Sequence, residues 1–176
     1  LESIINKFEK DFSSFKQTET LHLKLSEFGQ ITNQEIKNLC SQGLKYLGKL
    51  TSLQLSFSKC MKITDQALHH FRSEGLQYLP QLTSLELDFS GCPKITDEGL
   101  SFLFTQGLQS LTHLISLSLR FGGKHQATDD GVKCLSSKGL RHLSQLNSLS
   151  LDFKGDKQLT DEGVNSLIAC TIKDLL

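Results

Sequence analysis

Asp88, Arg120 and Asp152 stand 32 residues apart with alternating sign. On neighbouring rungs of a sheet, such a trio makes either a surface ion-pair ladder worth about 0–1 kcal/mol or a charged centre that selects a partner of matching pattern. Lys24 and Ser56 belong to the same column, and a second column runs His22, Gln54, Glu86, Ser118, Ser150 at the same interval. These ten side chains are the candidate binding residues. A weaker candidate is a polar rim formed by Lys124, His125, Lys154 and Asp156, in two successive turns where other copies of the turn are more apolar. Such turns serve either as a contact edge or simply as solvated surface.

Catalytic chemistry finds little material. The six histidines are His22, His69, His70, His113, His125 and His142, and no two lie at i, i+4 as a helical zinc pair requires. Gly122-Gly123 alone is not a phosphate-binding loop, no Ser or Cys sits in a nucleophile elbow, and Asp152, Asp156 and Asp161 have the wrong spacing for a calcium loop. No enzyme, metal or cofactor is expected.

The elements that must carry these side chains follow from one repeat. Leu21-His22-Leu23-Lys24-Leu25 recurs as Leu53–Phe57, Leu85–Phe89, Leu117–Phe121 and Leu149–Phe153, five copies at a spacing of 32 with no insertion. A fixed period of this length marks a repeat architecture. Within each copy the period of two predicts a short strand with one buried face, near 21–25, 53–57, 85–89, 117–121 and 149–153. Phe57, Phe89, Phe121 and Phe153 are expected to form a buried column. A turn follows, then Thr-Asp (Thr32-Asn33 in the first copy), which suits a helix start. Leu100, Leu103, Leu108 and Leu111 keep a period near 3.6, which predicts a continuous helix through Gly107. Gly43, Gly75 and Gly139 share that position, where a tight packing contact is expected. The nearly constant column Thr20, Ser52, Ser84, Ser116, Ser148 reads as architectural, whereas columns that vary are free to carry specificity.

Stacked side by side, the units make an α/β solenoid with parallel strands inside and helices outside. Residues 1–20 read as the helical half of an upstream unit or as a cap, and residues 21–176 as five repeats, the last ending in its helix. The missing initial Met and the broken final unit read as a fragment of something longer. The 19 basic and 19 acidic residues balance, which argues against nucleic acid or an anionic membrane as main partner. No apolar run nears the ~18 residues of a membrane span. Five cysteines without C-x-x-C spacing fit free thiols in a reducing, cytoplasmic compartment.

With Leu-x-Leu followed by Cys92-Pro93-Lys94-Ile95-Thr96-Asp97-Glu98-Gly99-Leu100, residues 21–176 resemble the leucine-rich repeat of the cysteine-containing, ribonuclease-inhibitor-like class. The chain departs from that class in a longer step from strand to cysteine, a helical arm about one turn longer, and a fading column of Phe28, Cys60, Cys92, Lys124, Asp156. The resemblance implies a right-handed horseshoe arc whose concave strand face binds proteins. It implies a non-catalytic scaffold with a protein partner. Two alternatives are the substrate-receptor arm of an F-box-type ubiquitin ligase, which requires an F-box upstream of Leu1, and the regulatory arm of an enzyme or a GTPase, which requires an exposed Arg such as Arg120.

Overall fold

Alternation of leucine with polar residues produces the expected strands. The computed structural model describes residues 16–26, 31–123, 125–155 and 158–166. In it β1 (Thr20–Lys24), β2 (Ser52–Ser56), β3 (Ser84–Asp88), β4 (Ser116–Arg120) and β5 (Ser148–Asp152) form one parallel sheet in chain order. Each begins one residue earlier than the Leu-x-Leu pattern suggested, because the Ser column joins the ladder. Register follows the repeat, with Leu53 opposite Leu85, Leu85 opposite Leu117 and Leu117 opposite Leu149. The ladder outlasts the strands, since Phe57, Phe89 and Phe121 donate to the carbonyls of Asp88, Arg120 and Asp152 at 2.7 Å. Below, each unit is numbered by the strand that opens it.

The inner face is apolar and closed. Leu53, Leu55, Leu85, Leu87, Leu117 and Leu119 are buried. The phenylalanine column stacks as predicted, with centroids 5.1 Å (Phe57–Phe89), 5.7 Å (Phe89–Phe121) and 5.6 Å (Phe121–Phe153) apart. Rings at this spacing seal the turn end of the core, each covering the next. After the rings the chain reverses through a left-handed residue: Gly91, Gly123 and Gly155 have φ of 72°, 102° and 84°. In unit 2 the place falls to Lys59, at φ 62°, where a side chain is strained.

Helices then start on threonine. Thr32, Thr64, Thr96 and Thr128 have extended backbones, and their hydroxyls accept from the N–H two residues on. These cap α1 (Asn33–Asn38), α2 (Asp65–His70), α3 (Asp97–Phe102) and α4 (Asp129–Cys134). At the first cap, Glu35 completes a capping box. Burial pushes the Glu35 carboxyl up, but hydrogen bonds from the Thr32 hydroxyl and N–H outweigh it and leave the group below the usual carboxylate range.

The helical arm is not the continuous α-helix expected. After six α residues it widens into a π turn, as at Phe71–Gly75 and Leu135–Gly139. In units 1, 2 and 4 a 3-10 turn follows, at Leu44–Tyr46, Leu76–Tyr78 and Leu140–His142. Gly43 (φ −109°, ψ −83°) and Gly75 (φ −120°, ψ −84°) leave helical geometry altogether. The close approach expected of this glycine column is present: a Cβ on Gly75 would stand 3.0 Å from Cys40 Sγ, and one on Gly139 3.1 Å from the Phe104 carbonyl. The widened turn keeps Leu103, Phe104, Leu108 and Leu111 facing inward together, all buried.

The cysteines belong to this interior. Cys40, Cys60 and Cys92 are buried free thiols, and the Cys92 S–H donates to the Phe57 carbonyl of the preceding unit at 3.3 Å. Burial pushes the Cys92 thiol up to about 12 and raises Cys40 and Cys60 as well. Thiolate is the reactive form. During pulsed alkylation at pH 8, these three are therefore expected to label only as fast as the chain opens, with half-buried Cys134 reacting before them. Mass spectrometry of the labelled peptides reads the order, and fast labelling of Cys92 in the native state would contradict this packing.

Candidate functional site

The ten outward side chains form two straight rows. His22, Gln54, Glu86, Ser118 and Ser150 stand opposite one another on adjacent strands, and so do Lys24, Ser56, Asp88, Arg120 and Asp152. Strands pack about 4.8 Å apart and helices 8–10 Å apart, so the strand side is the concave side. On β1 the outward residues are exposed, and on β2, β3 and β4 they are half-buried by their neighbours in the rows.

The charges do not pair along the row. Arg120 Nη1 reaches diagonally back to Glu86 Oε1 at 2.7 Å, bypassing Asp88 and Asp152 on the flanking rungs. The long guanidinium arm can span this diagonal, whereas the two aspartates have nearer partners. Asp88 Oδ1 accepts from the Ser90 N–H at 2.9 Å and Asp88 Oδ2 from the Ser56 hydroxyl at 3.2 Å. Asp152 Oδ1 accepts from the Lys154 N–H at 2.8 Å. Both carboxylates thus brace the turns that follow their strands. The ion-pair ladder Asp88–Arg120–Asp152 is replaced by one diagonal pair, part-exposed and worth about 0–1 kcal/mol. The ten positions carry two cations (Lys24, Arg120) against three carboxylates (Glu86, Asp88, Asp152), a weakly acidic surface.

The rim differs from expectation. His125 is turned inward, 8 % exposed, with its ring 6.2 Å from Phe153 and its Nδ1 accepting from the Ala127 N–H at 3.1 Å. The cause is Ala127, which holds the place of Ile63 and Ile95 and is smaller, so the imidazole packs in beside it. Lys154 is exposed as expected, while Lys124 and Asp156 lie outside the described residues.

A leucine-rich repeat family model matches residues 81–104, which contain β3, its turn and the start of the following helical arm. The whole chain also superposes on solved repeat domains. It is similar to the leiomodin-1 actin-binding site 2 structure, with 13 % identity, TM-score 0.61, 99 % of this chain and 88 % of that one. It is similar to the tropomodulin C-terminal domain of Caenorhabditis elegans, with 13 % identity, TM-score 0.62, 99 % of this chain and 92 % of that one. This chain has a leucine-rich repeat fold. No curated protein matches it by sequence.

What holds one leucine-rich repeat to the next was missed in the sequence. The residue after each N-cap threonine does more than face the helix dipole. Asp65 accepts from both the N–H and the hydroxyl of Thr96 in the next repeat, at 2.8 and 2.7 Å. Asp97 does the same to Thr128 at 2.6 and 2.7 Å and adds the Gly131 N–H at 3.1 Å. Asp129 repeats the pattern on Thr160, whose hydroxyl and N–H hold the Asp129 carboxyl below its usual range. The ladder ties each repeat's helix start to the one before. Its signal was present as a pairing, Asp65 with Gly99, Asp97 with Gly131 and Asp129 with Gly163, against Asn33 with Ala67.

Among the described residues no group of three His, Cys, Asp or Glu side chains could hold a metal. No described helix is long and apolar enough to cross a membrane.

Proposed function

We propose that this chain is a non-catalytic protein-binding module that engages its partner through the concave rows and the adjoining turns. The observation that carries the reading is the contrast between the two faces of one sheet. Inner positions repeat Leu-x-Leu in every unit, while the outward row His22, Gln54, Glu86, Ser118, Ser150 shows four residue types over five rungs on a wall that is half-buried in the middle and exposed at its ends. Variation there costs the fold little and leaves the wall free to match a partner. The leiomodin-1 domain is described as an actin-binding site, which supports a protein as the class of partner. The balanced net charge supports the same class over nucleic acid or an anionic membrane.

The test avoids Asp88 and Asp152, whose carboxylates brace turns. Replacing Gln54, Ser118 and Ser150 together by Arg adds bulk and reverses the charge of the middle row without removing a hydrogen bond the structure shows. Actin and proteins cross-linked to the wild type in its native extract are the probes. At least a tenfold loss of affinity is expected with an unchanged melting temperature. Full retention of every partner by the folded triple variant would sink the concave-face reading.

A further inference from the structure

The helical side carries a second candidate site, beside a lapse in the repeat. The 3-10 turn that closes units 1, 2 and 4 is missing from unit 3, whose residues 108–110 are not helical. Tyr46 and Tyr78 occupy the last position of that turn in the first two units, and Ser110 stands there in unit 3. Ser110 turns back to the Leu76 carbonyl of unit 2 at 3.5 Å, and on the other side of the unwound stretch an opening lies between units 3 and 4. It is a cleft of about 590 Å³, lined on one side by Ser101, Thr105, Gln106 and Gln109 and on the other by Lys138, Arg141 and His142. That volume falls in the range of ligand sites.

The lining is an excess of donors. Lys138 and Arg141 are exposed and one helical turn apart. The corresponding pairs are Gln42 and Lys45, Glu74 and Gln77, Gln106 and Gln109, so unit 4 alone among these is doubly basic. No carboxylate lines the cleft. Nearby ions are engaged elsewhere: Lys133 with Glu162 at 3.1 Å, and Glu74 with His70 at 3.0 Å. Among the described residues Lys138 and Arg141 form no ion pair with each other's neighbours. Across from them, the Gln106 and Gln109 amides can donate, and Gln109 Nε2 lies 3.5 Å from His142 Nε2, closing one end. A guanidinium fork with an ammonium and two side-chain amides matches a tetrahedral dianion in both charge and donor count.

We propose that this cleft binds a phosphoryl dianion, either free or carried on a Ser or Thr of a partner peptide. It is independent of the concave face and stands or falls separately. The test is a titration of the isotopically labelled chain with sodium phosphate at constant ionic strength, with sodium chloride as control, followed by amide NMR shifts. Saturable shifts at Gln106, Gln109 and Gly139 are expected with phosphate and not with chloride. Lys138→Ala with Arg141→Ala should weaken them at least tenfold. Gln106→Ala with Gln109→Ala, which removes the amide donors across the cleft, should also weaken them with both basic residues intact. A phosphoserine peptide without Lys or Arg binding at least tenfold tighter than both phosphate and its unphosphorylated form identifies a modified partner as the source. Phosphoserine peptide binding no tighter than phosphate identifies the free anion. Shifts that rise linearly, appear equally with chloride, or survive in both variants overturn the site.

Discussion

Phe89→Ala is expected to lower the stability of this chain by about 3–5 kcal/mol, the range for emptying a fully buried aromatic site. Phe89 is 1 % exposed and stands between two parallel rings, Phe57 at 5.1 Å and Phe121 at 5.7 Å, with the edge of Phe71 at 6.1 Å. Its backbone is pinned by the bond to the Arg120 carbonyl, so the walls cannot close on the void. The loss has a second consequence in a solenoid. Stability there is close to a sum of unit terms and nearest-neighbour interfaces, and Phe89 belongs to both interfaces of the central unit. Urea unfolding of the variant is therefore expected to broaden or split, as units 1–2 and 4–5 come uncoupled, while Phe89→Leu keeps one transition with a loss of about 1–2 kcal/mol. A single sharp transition with less than about 1 kcal/mol lost in Phe89→Ala would mean that the column is not the continuous spine described here.

The period of 32 made most of this architecture legible. Once Leu53, Leu85 and Leu117 are aligned, parallel order and register follow, because slipping a strand by one residue would turn its leucines to water. The phenylalanine spine and the threonine caps follow from the same alignment. Features that depend on the length or reach of one side chain did not. A period of 3.6 at Leu100, Leu103, Leu108 and Leu111 fits an α-helix and equally fits an α turn, a π turn and a tight turn in succession, since all keep leucines inward. Arg120 was placed against the aspartates by register, but its arm reaches diagonally to Glu86 on the adjacent rung. His125 looked like a rim residue by polarity, and the missing methyls of Ala127 drew it in. Lys138 and Arg141 already stand out in their columns in the sequence. The cleft before them borders the unwound stretch 108–110, which the period of 32 does not reveal.

The inter-repeat carboxylate ladder yields the other large effect, and the chain carries its own control. A Cβ at Gly131 would overlap the Asp97 carboxylate and come within 3.0 Å of Leu100 Cδ1, and Gly99 and Gly163 are crowded in the same way by Asp65 and Asp129. In unit 2 the equivalent residue is Ala67, buried, and the residue behind it is Asn33 rather than Asp. Asn33 still reaches the next cap, accepting from the Thr64 N–H at 3.0 Å and donating to its hydroxyl at 2.8 Å. It makes two bonds where Asp97 makes three, because Ala67 sends its N–H to the Thr64 carbonyl instead. Gly131→Ala alone is expected to cost about 2–3 kcal/mol by overpacking against a fixed charge. Asp97→Asn alone should cost about 1–2 kcal/mol, as charge-assisted bonds to Thr128 and Gly131 are weakened. Together the two substitutions recreate the Asn33–Ala67 arrangement, so their combined cost should fall short of the sum by at least about 1 kcal/mol. Urea denaturation of the wild type, both single variants and the double variant measures that coupling. Additivity within about 0.5 kcal/mol would show that the glycine column answers to something other than the aspartate behind it.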